Sequence, residues 1–85
     1  MRLDKYLKVS RLIKRRSVAK EVCEGDKISV NGRTAKPAAE VKAGDLLTLN
    51  MRGRRLEVRI LATPEFARAE EAASLYEVLR EEKNE

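Results

Sequence analysis

The residues of this chain that can do chemistry are its cations. Ten of the nineteen Lys and Arg residues fall between positions 2 and 33, and three of them, Lys14-Arg15-Arg16, stand in a row with no apolar side chain between them. Ammonium and guanidinium groups bind phosphate. Arginine does so through a planar fork and also stacks on bases, which singles out Arg11 and Arg16 within the cluster. The chemistry on offer is therefore capture of a polyanion, not the making or breaking of bonds. There is no histidine, and the single cysteine is Cys23. That excludes a His-assisted nucleophile, a Cys/His zinc site and a disulfide within the chain. No acid, base or metal-ligating cluster appears elsewhere, so no catalytic residue, metal or cofactor is expected and the chain is not read as an enzyme.

The distribution of charge sharpens this. The total is +5, but residues 1–36 carry eleven Lys/Arg against four Asp/Glu, a net of +7. Residues 64–85 carry three against seven, a net of −4, which masks the basic half. Such asymmetry points to nucleic acid, or less often to an anionic membrane surface. No apolar run approaches the length of a membrane span or a signal-peptide core, so a cytoplasmic protein with no membrane partner is expected. Eighty-five residues make one core, and with only Tyr6, Phe66 and Tyr76 as aromatics that core must be aliphatic.

The elements that must position the cations are legible in part. From Arg2 to about Ser10 the spacing is helical, with Leu3, Tyr6 and Leu7 on one side. The stripe returns at Leu12 and Ile13 and stops at Lys14-Arg15-Arg16, a solvated corner. Ser17 caps the next helix or sits in its first turn, Val18, Ala19, Val22 and Cys23 form its apolar face, and Gly25 ends it with positive φ. Lys27–Val30 reads as a strand, Asn31-Gly32 as a two-residue hairpin turn, and Arg33–Ala35 as the return strand. Leu46–Leu49 and Leu56–Ile60 read as two more strands around the tight turn at Arg52-Gly53-Arg54. Pro64 then opens a terminal helix, with Ala69, Ala72, Ala73, Tyr76 and Leu79 on one side and glutamates over the rest; residues 81–85 are expected to fray.

In this order, Arg2-Leu3-Asp4-Lys5, Ser10-Arg11, Ser17, Val30-Asn31-Gly32, Lys36-Pro37 and Val41 with Gly44-Asp45 resemble the S-four domain, the RNA-binding fold named for ribosomal small-subunit protein four. The likeness spans residues 2–49. It implies an α+β fold: a helix pair packed on a small, mostly antiparallel sheet, plus a C-terminal helix. The corresponding division is an S-four domain with a strand extension over residues 1–62 and an acidic helix and tail over residues 63–85. The opening MRLDKYLKVSRLIKRRSVAKEV and the closing EEAASLYEVLREEK are similar to a narrower family, the stand-alone bacterial S-four proteins of ribosome-associated quality control (the RqcP family). That resemblance implies binding to obstructed large ribosomal subunits carrying peptidyl-tRNA, with contacts to both ribosomal RNA and tRNA. It also implies support for alanine tailing of the stalled chain by the partner factor RqcH, with the protein a monomer off the ribosome. The RNA-binding residues expected are Arg2, Lys5, Lys8, Arg11, Lys14, Arg15, Arg16, Ser17, Lys20 and Lys36.

Blander roles compete at several positions. A run such as Lys14-Arg15-Arg16 can be a solvated face, although its place beside a helix N-terminus favours anion binding. Asp4 cannot bind phosphate and is expected to orient Lys8 or an arginine of the corner. Cys23 reads as a small core residue, Asn31-Gly32 as a turn before it is an RNA contact, and the acidic terminal helix as a lid on the sheet or a protein contact. Two other functions stay open: a heat-shock-type S-four protein that recycles stalled large subunits, and a helix-turn-helix DNA-binding regulator. The second is weakened by the outer face of the second helix, where Lys20 stands with Glu21 and Glu24, a poor set for reading bases in a major groove.

Overall fold

A computed structural model describes residues 1–83. Two helices, α1 (Leu3–Val9) and α2 (Arg16–Glu24), precede four strands, β1 (Ile28–Val30), β2 (Arg33–Thr34), β3 (Leu46–Met51) and β4 (Arg54–Ile60). A single helical turn, α3 (Ala69–Ala72), and a 3₁₀ turn over Ala73–Leu75 lead into β5 (Tyr76–Lys83). All pairings between the strands are antiparallel, and the five form one sheet in the order β2-β1-β3-β4-β5. The α+β fold with a helix pair on an antiparallel sheet is thus what the chain adopts.

The sheet sorts its faces by simple alternation. Ile28, Leu47, Leu49, Leu56, Val58 and Ile60 are buried on one face, against Leu3, Tyr6 and Leu7 of α1 and Ala19 and Cys23 of α2. Cross-strand pairs hold this face in register, Leu47 opposite Val58 and Leu49 opposite Leu56. A one-residue slip would carry all of them to the face occupied by Asn50, Arg55, Glu57 and Arg59.

The terminal helix expected from Pro64 onward does not form. Only one turn is helical, and Tyr76–Lys83 pairs with β4 instead, Tyr76 opposite Ile60 and Val78 opposite Val58, with a bulge that leaves Leu79 without a partner. The alanines and glutamates favour a helix, but without β5 the seven-residue β4 would be an unprotected edge with unpaired backbone groups beside the core. Tertiary pairing overrides local propensity. α3 buries Ala72 and the 3₁₀ turn buries Leu75, and the Tyr6 hydroxyl donates to the Leu75 carbonyl at 2.8 Å. Of the residues expected to fray, Glu81–Lys83 are paired in β5, while Asn84 and Glu85 lie outside the described residues.

Two smaller expectations also change. The buried face of α2 centres on Ala19 and Cys23, leaving Val22 half-buried and Val18 exposed, so the helix is rotated relative to the four-residue stripe. At its end Gly25 has φ −82°, and the left-handed residue is Asp26 at φ 60°. Asp tolerates that conformation better than most residues because its short side chain bonds locally. The Asn31-Gly32 turn is as expected, with both residues at positive φ (51° and 84°).

Candidate nucleic-acid interface

The opening of the chain is held by the loop that follows β2. Arg2 is extended and bridges Glu40, while the amides of Leu3 and Asp4 donate to the carbonyls of Ala39 (2.8 Å) and Pro37 (3.1 Å). The Lys36-Pro37 segment therefore occupies the N-terminus of α1 and satisfies donors that a helix start leaves open. Two stretches more than thirty residues apart in sequence become one structural unit.

Within that unit Asp4 is a hub. Its carboxylate is nearly buried, with 3% of the side chain exposed. It accepts the Arg2 Nε and Nη2 at 3.2 Å each, the Arg16 Nη2 at 3.4 Å and the Lys5 amide at 2.8 Å. Burial by itself would raise its pKa. The Arg2 hydrogen bond, the Arg16 charge and the Lys5 amide outweigh that and hold the carboxyl below the usual carboxylate range. The expectation that Asp4 orients an arginine of the corner holds, with Arg2 and Arg16 as its partners and not Lys8. Both arginine side chains remain about half exposed, so their outer N–H groups face solvent.

Arg16 opens α2, whose N-cap Arg15 is extended and supplies no side-chain hydrogen bond. Ser17 lies in the first turn and caps nothing. The start of α2 therefore has no side-chain cap on its first amides, and a helix N-terminus left open in this way favours an anion. The corner between the helices is built by Ser10 and Arg11. Ser10 is buried and its hydroxyl donates to the Leu7 carbonyl at 3.3 Å. Arg11 takes φ 60°, a left-handed conformation that glycine adopts more cheaply, and its side chain is exposed.

The expected contacts divide into groups. Arg2 and Arg16 meet at Asp4. Lys8, Arg11 and Lys14 surround one shallow hollow beside α1. Lys8, Arg11, Lys14, Arg15 and Lys20 have no ion-pair partner among the described residues. Two cations are engaged internally: Lys5 pairs with Glu65, and Lys36 donates to Asp26 at 2.8 Å, a bond that raises the pKa of the lysine. Lys20 stands exposed on the outer side of α2. Asn31 is consumed by structure, its amide nitrogen donating to Asp45 at 3.1 Å and its amide oxygen accepting the Leu46 amide at 2.9 Å. Cys23 is fully buried; burial first, then the charges of Asp4 and Glu24, push its thiol up to about 11, which leaves it unreactive.

The sequence missed that the basic surface continues onto the sheet. Arg52 and Arg54, at the β3–β4 hairpin, share a groove with Arg11 that is floored by Leu12, Leu49 and Tyr76. The Arg52-Gly53-Arg54 turn was visible, but not its proximity to Arg11, which depends on how α1 crosses the sheet.

A helix pair with a basic corner is thus packed on an antiparallel sheet and tied through an aspartate to the N-terminal arginine. The S4 domain, the S-four domain of the resemblance, matches residues 1–47, and the chain belongs to that family. Its relatives include the RQC P-site tRNA stabilizing factor of Halalkalibacterium halodurans, 55% identical over 82 residues that cover 96% of this chain and 93% of that one. The protein of the same description from Listeria innocua is 53% identical, with 98% of this chain and 90% of that one covered. Among solved structures, the trimeric Heat Shock Protein 15 of Vibrio cholerae superimposes with a TM-score of 0.85 at 37% identity, covering 92% of this chain and 80% of that one.

Proposed function

We propose that this protein is an RNA-binding factor of ribosome-associated quality control, acting in the cytoplasm as a monomer off the ribosome. It binds obstructed large ribosomal subunits that carry peptidyl-tRNA, contacts ribosomal RNA and tRNA, and supports alanine tailing of the stalled chain by RqcH. The observation that carries this reading is the Asp4 hub. It ties Arg2, just before α1, to Arg16, the first residue of α2, and leaves both guanidinium groups about half exposed, a geometry suited to phosphates at fixed positions. High identity to proteins named as P-site tRNA stabilizing factors supplies the ribosomal setting. RNA is read here by shape and phosphate placement, which suits a rigid, cation-rich surface. The outer face of α2 ends in Glu21 and Glu24, which disfavours a DNA-reading helix.

The test is co-sedimentation of the protein with large subunits bearing peptidyl-tRNA, beside thermal melts of the same variants. Arg16→Ala should stay folded, losing at most about 1 kcal/mol because Asp4 keeps Arg2 and the Lys5 amide, yet associate about tenfold or more weakly, as expected for loss of a charge-assisted contact. Arg16→Lys should recover part of that, because an ammonium cannot replace a planar fork. With about five phosphates neutralised, log affinity should fall against log salt with a slope of about −3.5 to −4.5. Wild-type pelleting by Arg16→Ala, or a slope near zero, would refute the placement of the interface.

A further inference from the structure

Between β4 and α3 the chain runs along α1, and one side chain in this linker stands out. Phe66 is 77% exposed, while the next most exposed large apolar residue, Val78, is at 51%. Single exposed apolar residues are ordinary on protein surfaces, but three features separate this ring from that background. The segment that carries it is tethered to the rest of the fold, because Glu65 pairs with Lys5 of α1 and the amides of Leu61 and Ala62 both donate to the Leu75 carbonyl, at 2.8 and 3.3 Å. It borders a hollow of about 80 Å³ whose other walls include Lys8, Arg11 and Lys14. Those three cations have no ion-pair partners among the described residues.

A flat π surface rimmed by unneutralised cations matches a nucleotide, whose base stacks while its phosphates take the charge. An apolar anchor from a protein partner fits less well, because docking it would strip water from three cations without offering them an anion. We propose that Phe66 is a stacking platform for one unpaired base of the bound RNA, with Arg11, Lys14 and Lys8 on the flanking phosphates. The proposal rests on the RNA-binding reading above and adds a ligand class to it: a loop or bulge nucleotide, where the Asp4 hub requires only phosphates. A ring this exposed contributes little to the core, and its place beside the basic corner leaves it open to such a contact.

The experiment compares two short RNAs of equal length, a hairpin with unpaired loop purines and a duplex with every base paired, in binding titrations with the full chain. Phe66→Ala should bind the hairpin about tenfold more weakly, bind the duplex as the wild type does, and keep the wild-type salt slope, since no charge is removed. Phe66→Leu should not restore binding. Phe66→Trp should, with its indole fluorescence quenched as the hairpin is added. Unchanged hairpin binding by Phe66→Ala, full recovery by Phe66→Leu, or equal losses on both RNAs would each overturn the platform. If the wild type binds neither RNA, the RNA-binding reading itself fails and takes this one with it.

Discussion

Replacing Asp4 by asparagine gives a perturbation whose sign separates geometry from charge. The carboxylate is almost fully enclosed and accepts hydrogen bonds from Arg2, Arg16 and the Lys5 amide. Asparagine keeps the shape, but it removes the negative charge and turns one acceptor into a donor facing arginine donors. Hydrogen bonds to a charged group contribute about 1.5–3 kcal/mol each when well formed. Here both arginines are about half exposed, and their share is discounted for solvent screening, so we expect Asp4→Asn to lose about 1–2 kcal/mol of stability in all. For a domain of this size that lowers the Tm by roughly 5–15 °C. The variant is also one unit more positive than the wild type, and if the field alone governed binding its affinity for a large subunit would rise. If Asp4 aims Arg2 and Arg16, affinity should instead fall about tenfold, because two guanidinium groups lose their fixed directions. The assay is co-sedimentation at constant salt, at a temperature well below the melt of the variant. Equal or tighter binding by a folded Asp4→Asn protein would refute the positioning role. A pH series adds a second check. The folded Asp4 pKa lies below its ordinary value of 3.8, so the stability it contributes is fully present above about pH 4 and is lost as pH falls through the folded value. The Tm of the wild type should therefore drop more steeply below pH 4 than that of Asp4→Asn. A residual slope should remain from Asp45, whose pKa is likewise held down, by the Lys42 amide and Asn31 against burial.

Other expectations follow from single contacts. Arg11→Gly relieves a left-handed conformation that costs a non-glycine residue about 1–2 kcal/mol, against about 0.5–1 kcal/mol of added chain entropy; it should melt no lower than the wild type yet bind large subunits more weakly, and a clear drop in Tm would show that the Arg11 side chain is structural. Tyr6→Phe removes the hydrogen bond to the Leu75 carbonyl, which still accepts the Leu61 and Ala62 amides, so the loss should be about 1 kcal/mol by denaturant melts. A proline at Val58, in the centre of the sheet between β3 and β5, should unfold the protein, as circular dichroism would report.

The local sequence determined most of the first half of the fold. Leu3, Tyr6 and Leu7 at helical spacing, the Asn31-Gly32 turn with both residues at positive φ, and the alternation through Leu56, Val58 and Ile60 are short-range signals, and the elements they indicate are present. The basic corner was legible for the same reason, since a run of cations beside a helix start is a local feature. The C-terminal segment was not. Its alanines and glutamates encode a helix locally, and it became a strand because β4 needed a partner on its open edge, a demand that arises only once the sheet exists. The pairing of Asp4 with Arg16, the tether of the Phe66 segment through Lys5 and Glu65, and the approach of Arg52 and Arg54 to Arg11 likewise join residues distant in the chain. Composition and spacing specified which charges exist and on which elements they ride. Packing α1 and α2 across one face of the sheet decided which of those charges are spent on one another and which are left for a ligand.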